Sequence, residues 1–256
     1  MFDRITSRWA LVALIVLLFV AAQAIGSAIG ILCKLQMPVI LLMVNAGAIA
    51  LALLLRVVHP ADLRLPQNDA RTTVQQIVGL FCLCLGISTL SEALELPDLT
   101  TDSLGGIITS PVGALTIAIV GPLAEECFFR AGILGGLMRR GVKMWWAIGI
   151  SALLFGLIHA NPAQIPFAMC IGISLGYCYV RSGSILVPLV GHILNNSVVV
   201  ASYFYFGAEK VNEMHTYDLL GGPIWGNVVA ALIAIAGALL LWNKAPAKDS
   251  SPTLPC

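Results

Sequence analysis

The sequence predicts an all-α fold: a polytopic bundle of about eight transmembrane helices enclosing a polar cavity at bilayer depth. Three observations predict it. Hydrophobic residues make up 59% of the 256 and charged residues only 11%, with a mean hydropathy of +0.93, whereas a soluble domain carries about 25% charged residues. Apolar runs long enough to cross a bilayer recur along the chain. Charge alternates between the connections, and ionisable groups interrupt the apolar runs at matching depth.

The elements follow in order. A short basic N-terminus precedes a first span over residues 9–32. Ala22-Gln23-Ala24 resembles a signal-peptidase site, but the apolar run continues to Leu32, so an uncleaved helix is favoured. Gly26 and Gly30 are spaced for close helix packing. A second span covers residues 38–55, a polar loop with Pro60 and Pro66 follows, and a third covers 74–90. The acidic, turn-rich stretch 91–110 leads to a fourth span from Pro111 to about Arg139. The fifth runs over 144–159 behind an interfacial Trp145-Trp146 pair, and the sixth over 165–180 after Asn161-Pro162. Arg181-Ser182-Gly183-Ser184 turns into the seventh, 185–206, and the eighth is 224–242, anchored by Trp225 and Trp242. In domain terms, 1–110 holds the first three helices, 111–206 the core, and 207–243 a polar loop and last helix. The stretch 244–256 is a disordered tail.

Of the 14 lysines and arginines only Lys34 and Lys210 fall on the outer side of this arrangement, and the outer loops are acidic instead. The positive-inside rule thus puts both termini of a multi-pass membrane protein in the cytoplasm, and a short chain without targeting motifs suggests a prokaryotic cell membrane. No basic run with interleaved aromatics suggests nucleic acid. The seven cysteines lie mostly in apolar runs and read as small buried residues.

Within the fourth span, Glu125-Glu126 and Arg130 sit between uncharged stretches. A charge at bilayer depth costs roughly 2.5–3.5 kcal/mol or more, so two adjacent acids call for a function or a brace. Glu126 and Arg130 are i, i+4 in the order that favours an ion pair. Glu125 points about 100° away, without such a partner, and can serve as general base and acid. Pro122 removes a backbone donor beside them and invites a kink. His159 ends the fifth span, and His192 and Asn196 share one face of the seventh. His59 and His215 lie in loops and read as surface residues. At the helical rise, Glu125 stands about 21 Å above Arg139, His159 about 24 Å above Lys143, and His192 and Asn196 about 16 and 22 Å above Arg181. The polar groups therefore converge on one layer, and a fifth helix ending at Asn161-Pro162 leaves room for a cavity.

Glu125-Glu126-x-x-x-Arg130, Phe155-x-x-x-His159 and His192-x-x-x-Asn196, in this order, resemble the three signature motifs of the CPBP intramembrane proteases. These comprise the type 2 CAAX prenyl proteases and the bacteriocin-processing or immunity (Abi) proteins. Gly121-Pro122, Phe129, Leu175-Gly176 and the turn at Arg181–Ser184 strengthen the likeness, which covers residues 111–197. The resemblance implies a catalytic cavity in which Glu125 and His159 activate water and His192 with Asn196 stabilises the oxyanion. Glu126, Arg130 and Phe155 would give support. It also implies metalloprotease-like chemistry, in which His159 and His192 would hold a divalent metal such as Zn2+; the same groups could equally work without one. The substrate would be a membrane-embedded or lipidated protein or peptide, CAAX-like or otherwise. The alternative is a non-proteolytic immunity or scaffold protein on the same fold. A carboxylate-relay transporter is disfavoured by the absence of repeated halves in the sequence.

Overall fold

The computed structural model describes residues 7–242, so the predicted disordered tail lies outside the described residues. Among those residues the chain forms helices and turns only. The long helices are α1 (Arg8–Leu32), α2 (Met37–Leu54) and α3 (Ala70–Glu92), followed by a short α4 (Thr101–Ile108) and then α5 (Pro111–Arg139). After these come α6 (Met144–Leu157), α7 (Gln164–Ser182) and α8 (Leu186–Phe206). Two short helices, α9 (Ala208–Glu213) and α10 (Thr216–Leu219), precede α11 (Pro223–Trp242). Seven of these are long and apolar enough to cross a membrane, and α6, with 14 residues, is a shorter apolar helix.

The spans match the expected order, with one informative difference. The expected fifth span reached His159, but α6 stops at Leu157 and the chain turns over Ile158 and His159 to Ala160, which holds a positive φ of 50°. The fully buried Asn161 fixes this turn. Its Nδ2 donates to Asp98 Oδ1 at 2.9 Å and Thr100 Oγ1 at 3.0 Å, and its Oδ1 accepts the Leu99 N–H at 3.2 Å. The stretch expected to be plain loop at 91–110 therefore carries α4 and ties over the end of α6.

Small residues set how closely the helices approach. A methyl group on Gly26 would lie 2.8 Å from Val44 and one on Gly30 2.6 Å from Ile40, so the expected close packing is between α1 and α2. Gly79 and Gly86 of α3 pack on Ala230, Ala234 and Gly237 of α11 in the same way, and Gly172 of α7 on Ala152 of α6. With only apolar lipid as the alternative, such close backbone contact is the main cohesive force between membrane helices. Gly183, at φ +65°, closes α7 as a left-handed cap, as the Arg181–Ser184 turn required.

One end of the bundle is locked by a group read from sequence as a simple loop. Asp62, 1% exposed, accepts the Tyr179 hydroxyl at 2.7 Å and the His59 backbone N–H at 2.9 Å, with Arg139 Nη1 at 3.5 Å. Ser184 Oγ donates to Arg64 O at 2.6 Å, so the α2–α3 connection is stitched to the α7–α8 turn. At the start of α3, the Thr72 N–H donated to Asp69 Oδ1 at 2.7 Å caps the helix and holds that carboxyl below its usual range. The central element is α5, whose run from Glu126 to Leu137 is buried throughout.

Candidate active site

The helix that carries the glutamate pair is not a regular α-helix. Two π-helical segments, Thr116–Val120 and Glu126–Gly135, flank a single α-helical turn, Gly121–Glu125, that ends on the first glutamate. Such segments leave backbone carbonyls in need of other donors, and they are frequent at functional sites. Here the first follows from Pro122. The Gly121 N–H bonds to Thr116 O, five residues back; the next bond in that register would run from residue 122 to Ile117 O, but proline has no N–H. The orphaned Ile117 carbonyl accepts instead from Asn196 Nδ2 of α8 at 3.0 Å. In the second segment Ser151 Oγ of α6 donates to Phe129 O at 2.8 Å and Arg139 Nη2 to Ala131 O at 3.0 Å. Side chains from two neighbouring helices and from the end of α5 itself thus hold the register that aims the two glutamates.

The two carboxylates part company as the sequence suggested, with a fuller set of partners. Glu126 is fully buried, with Oε1 3.2 Å from Arg130 Nη1 and accepting His192 Nδ1–H at 2.9 Å. The Arg130 guanidinium lies over the face of Phe155, 4.2 Å from the ring centre, a cation–π placement that shields a buried charge. Glu125 keeps 23% of its side chain exposed and places Oε2 3.5 Å from the other nitrogen of His192, Nε2. His192 therefore stands between the glutamates. With Nδ1 turned to Glu126, the Nε2 atom faces Glu125.

His159 is oriented separately. Its Nδ1 lies 2.8 Å from Phe155 O, and a carbonyl can only accept, so the proton is on Nδ1 and the Nε2 lone pair is free of that bond. Glu125 and His159 both line a cavity of about 420 Å³, together with Phe19, Val20, Gln23, Leu41, Asn45 and Ile158. His192 and Glu126 sit behind it. All the motif residues come together, then, but in two ranks: Glu125 and His159 face the cavity, while His192, Glu126, Arg130 and Phe155 form the wall behind. Asn196 lies beside them with one amide hydrogen donated to Ile117 O and its Oδ1 accepting from Asn195 at 3.1 Å.

Toward a metal, His159 would offer Nε2, whereas His192 has Nδ1 bonded to Glu126 and Nε2 3.5 Å from Glu125. Phe155 stands edge-on to both imidazoles, 5.0 and 5.8 Å between centroids. Among the described residues no three His, Cys, Asp or Glu side chains form a metal-ligand set. Reading the sequence missed Gln23, Asn45 and Ser151. A signal existed for two of them: Asn45 and Ser151 are the lone hydrogen-bonding side chains of α2 and, beyond its tryptophans, of α6.

The helix bundle thus brings a carboxylate and an imidazole to one cavity. Residues 107–198 match the family model of the type II CAAX prenyl endopeptidases, Rce1-like. YdiL of Bacillus subtilis, provisionally named a membrane peptidase, is 28% identical over 165 residues, spanning 60% of this chain and 67% of its own. The membrane-embedded CAAX protease MroQ of Staphylococcus aureus is 34% identical over 95 residues, 35% of this chain and 38% of its own. No solved structure matches this chain.

Proposed function

We propose that this chain is an intramembrane endopeptidase that hydrolyses a peptide bond of a membrane-embedded or lipidated, CAAX-like substrate. The observation that carries the reading is the division of labour at the glutamate pair: Glu125 alone of the two lines the cavity, with His159 beside it. Glu125 takes a proton from water as the water oxygen bonds to the scissile carbonyl carbon. The His159 Nε2 lone pair accepts the water's second hydrogen and orients the attack. The carbonyl oxygen becomes an oxyanion, stabilised by the His192 Nε2–H that stands beside Glu125. When the C–N bond breaks, Glu125 returns its proton to the leaving amine.

In this scheme one Asn196 amide hydrogen holds α5 in register through Ile117 O, and the second is left for the oxyanion. No step is routed through a metal, so 1,10-phenanthroline should leave cleavage unchanged; inhibition reversed by Zn2+ would restore the metal reading. The proposal as a whole is tested by comparing membrane proteomes of cells carrying the wild type or Glu125→Gln. Cleavage products present only with the wild type support an endopeptidase. Identical proteomes together with a retained cellular phenotype support an immunity or scaffold role.

A further inference from the structure

The cavity wall opposite the motif comes from α1 and α2, which lie outside the segment matching the family. Among its lining residues four are polar: Glu125 and His159, already assigned, and the carboxamides of Gln23 and Asn45. We infer that Gln23 and Asn45 are the substrate-binding groups of this cavity, holding the peptide groups that flank the scissile bond of an uncharged, extended segment. That the ligand is a peptide rests on the endopeptidase reading; the binding role of the two carboxamides does not.

Their placement is built rather than incidental. Phe19 packs edge-on against Phe128 and Phe129, with centroids 5.0 and 5.6 Å away, and fixes α1 to the catalytic helix one turn from Gln23. Gly26 lets Val44, the neighbour of Asn45, approach α1 closely, and the two carboxamides line the same cavity from neighbouring helices. Asn45 is only 9% exposed. One of its amide hydrogens goes to Leu41 O at 2.9 Å, a local bond usual for a polar residue in a membrane helix. That bond leaves its Oδ1 acceptor and second hydrogen unused and open to the cavity. Gln23 makes no side-chain hydrogen bond among the described residues.

The chemistry selects the ligand. A chain entering at bilayer depth brings N–H and C=O groups with no water to satisfy them. A carboxamide offers one acceptor and a pair of donors, the complement of a peptide group. Phe19, Val20, Leu41 and Ile158 supply the apolar remainder, and Glu125 is the sole charged group of the lining, so the site suits neutral backbone rather than a charged headgroup. The volume is at the small end of the about 300–1,000 Å³ of ordinary ligand pockets, sufficient for a few residues of chain. Binding through the backbone makes recognition tolerant of side-chain identity.

The test uses the full chain in nanodiscs, carrying Glu125→Gln to prevent turnover, and an N-palmitoylated, uncharged, apolar octapeptide as probe. Gln23→Leu and Asn45→Leu should each weaken its binding about tenfold, the equivalent of one hydrogen bond. Replacing successive amides of the peptide by esters should weaken binding at one position by a like factor, and there Gln23→Leu should cause no further loss. Equal binding by all proteins, or binding by none, overturns the inference. Should Asn45→Leu fail to fold, Gln23→Leu carries the test alone, because Gln23 has no internal partner to lose. Cleavage that needs Glu125 but ignores both leucine substitutions sinks the carboxamide role and spares the endopeptidase. Weakened binding with cleavage that is indifferent to Glu125 does the reverse.

Discussion

Glu126 is fully buried between Arg130 and His192, whereas Glu125 keeps part of its surface open to the cavity. Their neutral variants should therefore behave oppositely. Glu126→Gln strands the Arg130 guanidinium, which has no other carboxylate so close, and should lower unfolding stability by about 3–5 kcal/mol. Glu125→Gln should unfold within about 1 kcal/mol of the wild type in the same detergent titration and lose its chemistry instead. The pairing of Glu126 with Arg130 was legible from their i, i+4 spacing. The third partner, His192, was not, because spacing along one helix is silent about which face of another helix lies opposite.

The elements carry their own prediction at Pro122. If Asn196 serves chiefly to satisfy the carbonyl that Pro122 orphans, Asn196→Leu should cost about 1–3 kcal/mol, the penalty of an unsatisfied buried acceptor. In a Pro122→Ala background a backbone N–H becomes available to the helix, and the same substitution should cost much less; a double-mutant cycle reads the difference. Additive costs would return Asn196 to a role in contact with substrate. The close α3–α11 contact gives a second test. A side chain at Gly86 would begin 2.5 Å from Ala230 O, while Gly47 faces open space. Gly86→Leu should therefore destabilise by about 1–3 kcal/mol and Gly47→Leu should be silent in thermal unfolding. The helices themselves were readable as apolar runs bounded by Gly, Pro and charge. The π-helical stretches of α5 were not, because their hydrophobic pattern is uniform and Pro122 alone predicts a kink rather than a changed register. The early end of α6 was half legible: Asn161-Pro162 marked a break, but its position depends on the bonds Asn161 makes to Asp98, Leu99 and Thr100 across the bundle.

At the scale of the whole molecule the open question is the role of α6. Its 14 residues rise about 21 Å, short of the about 30 Å of a hydrocarbon core. The turn at residues 158–163 must complete the crossing if the termini are to share the cytoplasmic side that the charge distribution favours. With the exposed Cys33 and Cys170 replaced by serine, cysteines introduced at Lys34 and Lys210 should then both react with a membrane-impermeant maleimide from outside intact cells. Labelling of one alone would mean that α6 does not cross. The bundle and the convergence of its polar groups were legible because a bilayer imposes length and charge rules on each span separately. The cavity was legible only on its motif side. Gln23 and Asn45 sit on helices whose neighbours no periodicity specifies, and Gln23 looked instead like part of a cleavage site.

The central claim is that Glu125 is the working carboxylate and Glu126 its buried support. It is tested most directly by the turnover rate of purified protein in liposomes on a membrane-tethered peptide recovered from the proteome comparison. Glu125→Gln should lower that rate by a factor of about 10²–10⁴, the range for loss of a general base, with its fold intact by circular dichroism. A folded Glu125→Gln protein that cleaves the peptide at the wild-type rate would contradict the account.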